Sequence, residues 1–225
     1  MNKFKFLVLL VLMVSFTHIH ALPNKVIVVR HGEKATGVHL DNKGWQRAAA
    51  LISYFGASSH FSIDPRWQVS DTSAVFSPPF AIYAPRPEAN DCVRPLETTI
   101  PLAQELGLPV HICYGRNQLA ELAHLILTTP QNDGKEILII YEHHRIPDLI
   151  NQLILQAGGN ILNLAAYPDN RFDLVYVIDY MGNPSVFDTP YKVVSAGGNI
   201  SLTATLQELM FGDDTSLPTS NFPLN

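Results

Sequence analysis

The sequence predicts an α/β fold: a single domain with a mostly parallel central sheet flanked by helices on both faces. Three observations lead there. Val-Ile-Val-Val at 26–29 and Ile-Leu-Ile-Ile-Tyr at 137–141 are uninterrupted, largely β-branched runs, the pattern of strands buried on both faces. Segments with apolar residues at helical spacing alternate with such runs through most of the chain, which favours parallel strands joined by crossover helices. No internal repeat and no linker long enough to separate a second domain interrupts the 225 residues.

The chain begins with Lys3 and Lys5, an apolar run at 6–16 broken only by Ser15, and a polar stretch ending at Ala21. This is the layout of a secretory signal peptide, and the run is too short to span a bilayer. Residues 1–21 are therefore expected to be removed on export, giving a secreted or periplasmic protein without stable membrane insertion. Residues 22–210 make up the α/β domain. The tail at 211–225 is polar and Pro-containing, and is expected to be poorly ordered.

After the first strand, Asp41 or Asn42 caps a helix. Trp45, Ala48, Ala49, Ile52 and Phe55 form its inward stripe, with Trp45 and Phe55 in the core, and Gly56 ends it. Residues 57–73 are polar and Ser-rich and read as loop. A short strand is expected near 80–84 and a loop at 85–93. Arg94-Pro95 opens the next helix, since proline suits the first helical position. Leu96, Ile100, Ala103 and Leu106 face inward, Glu97 suits the dipole of the first turn, and Gly107 closes the helix. A short strand at 110–113 and a helix at 117–127 follow. The strand at 137–141 leads to a helix at 147–156, stopped by Gly158-Gly159. Later strands are expected at 174–178 and 191–194, antiparallel across the connection between them.

Composition narrows the partners. Fifteen basic residues against 20 acidic ones give a formal charge of −5, so there is no electrostatic footprint for nucleic acid or an anionic membrane. An anionic ligand must be drawn by a local cluster of positive groups. Three places supply one. Arg30-His31 ends the first strand, Arg94 starts a helix, and His143 follows the strand at 137–141. In open α/β sheets, ligands bind beyond the carboxyl ends of the strands. Two arginines and two histidines on that rim would hold a tetrahedral dianion, because guanidinium forks match phosphate oxygens and a helix N-terminus adds N–H donors. Cys92 and Cys113 are the only cysteines. An oxidising compartment permits a bridge, and a bridge and two separate thiols are both open.

These segments resemble the histidine phosphatase superfamily, the phosphoglycerate mutase-like fold. Val-Ile-Val-Val-Arg-His-Gly-Glu at 26–33 is similar to its first motif, and Leu-Asp-Asn-Lys-Gly at 40–44 to the opening of its first helix. Arg-Pro-Leu-Glu-Thr at 94–98 resembles the segment of the second arginine, and residues 137–143 the strand delivering the second histidine. The resemblance runs from about residue 25 to 156. It implies that His31 is the nucleophile and is transiently phosphorylated, that Arg30, Arg94 and His143 neutralise the phosphoryl oxygens, and that no metal or cofactor is needed. The implied substrate is a small phosphorylated molecule, hydrolysed as a phosphomonoester; mutase chemistry is disfavoured for an exported enzyme. Gly32 reads as spacing that lets a ligand approach.

Two departures accompany the resemblance. His144 stands where glycine is common, and it is expected to point to solvent. The proton donor for the leaving group is open among Glu121, Glu142 and Glu33, or absent. Absence would leave the alternative of a weak or inactive member that binds phosphate or a phosphorylated ligand. A metal site of His31, His143 and His144 is a third class. Adjacent histidines rarely share an ion, and the chain has no His-x-x-x-His or Cys-x-x-Cys spacing.

Overall fold

The computed structural model describes residues 22–34, 36–56, 74–88, 92–210 and 212–218. The signal-peptide segment, the loop expected at 57–73 and the last seven residues of the tail lie outside the described residues. Strands are β1 (Lys25–Arg30), β2 (Ala81–Tyr83), β3 (Val110–His111), β4 (Glu136–Tyr141), β5 (Leu174–Asp179), β6 (Lys192–Ser195) and β7 (Ser201–Leu206). Helices are α1 (Asn42–Tyr54), α2 (Arg94–Leu106), α3 (Leu119–Thr128) and α4 (Ile146–Gln156).

All seven strands belong to one sheet, in the order β3-β2-β4-β1-β5-β7-β6. The first four in that order are parallel. β1–β5, β5–β7 and β7–β6 are antiparallel. The sheet is therefore mixed, which corrects the expectation of a mostly parallel one. For β6 and β7 the reason is local: parallel neighbours need a crossover of a dozen or more residues, usually a helix, and no α-helix follows Gln156 among the described residues; β5 runs antiparallel to β1 although α4 separates it from β4. The later strands return through loops and turns instead. β5 and β6 are also not neighbours, because β7 lies between them.

The helices do cover both faces. Ile27 and Val29 of β1 pack with Leu51 and Tyr54 of α1 and Leu102 and Ala103 of α2. Val26 and Val28 pack on the opposite side with Leu122 and Ile126 of α3 and Leu149, Ile150 and Leu153 of α4. Alternate residues of one strand thus feed two cores, which is why the run contains no polar position.

α1 begins as expected, with the Asp41 carboxylate accepting from Gly44 N at 2.7 Å. Its inward face is turned relative to the expected stripe. Gly44, Arg47, Ala48, Leu51 and Tyr54 are buried, whereas Trp45 is 40% exposed. Phe55 is buried as expected. Two contacts set the rotation. A β-carbon on Gly44 would lie 2.3 Å from Glu33 O, and one on Gly32 would lie 2.6 Å from Gly44 O. Both glycines are there so that the start of α1 can lie on the backbone after β1. Gly32 thus makes room for the start of α1. Cys92 and Cys113 are not bridged.

Candidate active site

β1 and β4 pair in parallel with Arg30 opposite Tyr141, and His31 N donates to Tyr141 O at 3.1 Å. This register brings His31 beside His143, two residues beyond β4; their ring centroids are 6.4 Å apart and the rings meet edge-on. Arg94 arrives at the start of α2. Thr98, one turn further on, ties that helix to the motif, since its Oγ1 accepts from Gly32 N at 3.0 Å and donates to Arg94 O at 2.8 Å. Glu97 acts beyond the helix dipole: it accepts from Leu40 N at 2.8 Å and pairs with His39. It thereby holds the loop that carries Gly37. All four expected residues are brought together, and His31 carries the charge influence of the other three.

Among the described residues, each arginine is anchored through its Nη1. Arg30 Nη1 donates to the carbonyls of Pro168, Asp169 and Arg171 at 3.2, 2.7 and 2.6 Å. Its guanidinium carbon sits 3.8 Å from the centre of the Phe172 ring, a cation–π stack. Arg94 Nη1 donates to Gly37 O at 2.6 Å. Arg30 Nε and Nη2 and Arg94 Nε are buried and have no protein partner. Each side chain is thus fixed at one edge while the Nε side stays available, and on Arg30 that side is a two-donor fork.

The histidines follow the same rule. His31 Nδ1 lies 2.7 Å from Gly32 O. A carbonyl only accepts, so Nδ1 carries the proton and Nε2 keeps its lone pair. Nε2 is buried without a protein partner. Burial, with Arg30, Arg94 and His143 reinforcing it, lowers the His31 pKa to about 3, so the ring is neutral at neutral pH. His143 Nε2 lies 3.0 Å from Asp169 Oδ1, and its Nδ1 is likewise buried and unpaired. Burial, then Arg30 and His144, lowers the His143 pKa to about 4 despite the pull of Asp169. Arg30, lowered by burial to about 10, remains a cation. The site is two fixed cations and two neutral imidazoles.

The candidate proton donors do not converge on these groups. The Glu33 carboxylate takes two hydrogen bonds from Arg47, at 2.7 and 3.0 Å. Burial alone would raise its pKa, but Arg47 outweighs it and the net shift is downward. Glu142 pairs with Arg116 at 3.6 Å. Glu121 is exposed in the first turn of α3. His144 is exposed, as expected, with its ring 3.8 Å from that of His143.

Sequence reading missed the loop at 167–173, which supplies the three carbonyls on Arg30, the Phe172 face and the Asp169 carboxylate. Its signal was thin: Pro168-Asp169-Asn170 reads only as a turn. It missed Arg47 and Asp213 too. Arg47 is buried and spends all five donors on Glu33, Gln207 and Asp213. The expected metal set also changes: His143 and His144 cluster with Asp169, and His31 is not part of the group.

Comparison of the sequence with known protein families and with curated proteins gives no match. Among solved structures, the chain is similar to the native structure of a mycobacterial glucosyl-3-phosphoglycerate phosphatase. The identity is 13% and the TM-score 0.40, over 69% of this chain and 90% of that one. A likeness that remote leaves the question of function to the site itself.

Proposed function

We propose that this chain is a metal-independent phosphatase that hydrolyses a phosphomonoester through a phosphohistidine at His31. One observation carries the reading. Five buried nitrogens without protein partners, on Arg30, His31, Arg94 and His143, come from three separate parts of the chain. Buried polar atoms in folded proteins are nearly always paired. Three guanidinium donors of Arg30 and Arg94 accompany the lone pair of His31 Nε2, an arrangement that suits a tetrahedral oxyanion, while His143, bonded through Nε2 to Asp169, presents a second lone pair at Nδ1.

The steps follow from the tautomer. His31 Nε2 attacks phosphorus with its lone pair as the ester P–O bond breaks and the leaving oxygen takes that bond's electrons. The positive charge gained by the ring is eased by the carbonyl on Nδ1. Arg30 and Arg94 hold the phosphoryl oxygens while charge spreads over them in the transition state. A water then attacks the phosphohistidine, the N–P bond breaks, and inorganic phosphate and neutral His31 are released.

Asp169 and Glu33, the carboxylates that bear on Arg30, are both held below the usual carboxylate range. In Asp169 the cause is the hydrogen bond with His143. Neither offers a proton at neutral pH, so the chemistry favours leaving groups that depart as stable anions, such as aryl or acyl phosphates. This supports the second reading, a catalytically weak or inactive protein that binds phosphate or a phosphorylated ligand.

Hydrolysis of an aryl phosphate with and without EDTA separates the readings. The expected result is EDTA-resistant turnover that disappears in His31→Ala. Inorganic phosphate binding with no turnover on any ester would replace it with the second reading. Export completes the proposal: the mass of protein recovered outside the producing cells is expected to match cleavage after Ala21, and an intact N-terminus would remove that part.

A further inference from the structure

The structure assigns one more site: we propose that His143, His144 and Asp169 bind a divalent transition-metal ion of the zinc type at the mouth of the anion pocket. One ligand atom from each residue lies within 4.8 Å of the other two. His143 is buried, whereas His144 and Asp169 are exposed. An ion can therefore reach the cluster from solvent while its innermost ligand is buried.

The ligand chemistry is right for such an ion. Two imidazoles and a carboxylate are a familiar three-ligand set for zinc, with a fourth position open. Bonds of about 2.0–2.1 Å in a tetrahedron place ligand atoms about 3.4 Å apart. His143 Nε2 and Asp169 Oδ1 are already 3.0 Å apart. The His144 ring lies alongside His143, with centroids separated by 3.8 Å. The remaining contraction falls on His144 and Asp169, and the Asp169 side chain is 82% exposed and has room to turn. The two histidines share a short 3-10 turn at His143–Arg145, which brings neighbouring side chains together where a strand would send them to opposite faces.

The site is separate from the proposed chemistry but shares one residue with it. An ion on His143 Nε2 replaces the hydrogen bond to Asp169 and takes no ligand from His31, Arg30 or Arg94. His144 serves the ion alone. Metal binding is the quantity to read, because it is independent of whether the chain turns over any ester.

Cobalt(II) is the probe, titrated into untagged, metal-free full-length protein and followed by its visible absorption, with zinc added afterwards to displace it. The expected result is one equivalent bound with a low-symmetry, four- or five-coordinate spectrum. Loss of even an outer partner of a metal ligand costs about 10–100-fold in affinity, so His144→Ala and Asp169→Asn should each weaken binding by at least about tenfold. His124→Ala, an exposed histidine on α3, should not. Retained far-UV dichroism in His144→Ala checks that the fold is intact. Failure of the wild type to bind one equivalent, or binding by His144→Ala equal to the wild type, would overturn the assignment.

Discussion

His31 is held in a state that an exposed imidazole does not keep through mild acid. Its burial and three positive or polar neighbours bring its pKa from 6.5 to about 3, while the carbonyl of Gly32 fixes which nitrogen stays bare. The same burial makes the residue a pH sensor of stability. Between those two values the unfolded chain binds a proton that the folded chain does not, so stability rises with pH across the interval. The contribution is complete above about pH 6.5 and is lost progressively as the pH falls toward 3. Glu33 and Asp213 add to the loss at the acid end. Arg47 holds both below the usual carboxylate range, against the opposing effect of burial. The urea midpoint is expected to fall steadily from about pH 7 to about pH 4, and His31→Gln is expected to flatten the upper part of that slope. A variant with the wild-type slope would show that His31 does not lie buried and neutral.

At the scale of elements, the site depends on how closely α1 lies on the turn after β1. The contact is backbone against backbone, with Gly32 and Gly44 facing each other, and neither partner can rotate out of the way. In Gly44→Ala the new methyl group meets Glu33 O. Overpacking of this kind typically costs about 1–3 kcal/mol, and a backbone partner puts this case at the upper end. The expected outcome is a lower melting temperature together with lost activity, because the displaced segment carries His31. Wild-type melting and turnover would show that the helix start is loose. Much of this level was legible in the sequence. The apolar runs at β1 and β4, the Asp41 cap, Arg94-Pro95 and the Gly107 stop all act within a few residues of themselves. β7 was not read, although Ser-Leu-Thr-Ala-Thr-Leu at 201–206 does alternate. Its small and hydroxylated residues hid a strand that is buried along its whole length. The rotation of α1 was hidden for a related reason: a buried arginine occupies a place on the inward face that the hydrophobic pattern assigned to Trp45.

Across the whole molecule, the candidate site is tied to the C-terminal end of the described chain. Arg47 joins Glu33, just after the motif, to Gln207 and Asp213 beyond the last strand, and Asp213 pairs with it at 2.6 Å. The loop at 167–173 is fastened in turn by Arg171, which bonds both oxygens of Asp173 and reaches Asp214 and Ser216 O. Part of the segment expected to be a loose tail thus braces the back of the site. Contacts spanning 166 residues leave no trace in local periodicity, and so neither this network nor the antiparallel half of the sheet could be read in advance. Removing one partner from a buried ion network typically costs about 3–5 kcal/mol, because the other charges stay buried. Arg47→Met is expected to lose about that much and to expose residues 212–218 to limited proteolysis; unchanged stability and protection would show that the tail is held by other means. The proposed chemistry turns on the bare Nε2 of His31. Its most direct test is to mix the protein with an aryl phosphate labelled at phosphorus, quench in denaturant within a turnover, and locate the label. A phosphoryl group is expected on His31, stable to alkali and labile to acid, and none in His31→Ala. Turnover with no phosphorylated histidine, or with the label on another residue, would contradict it.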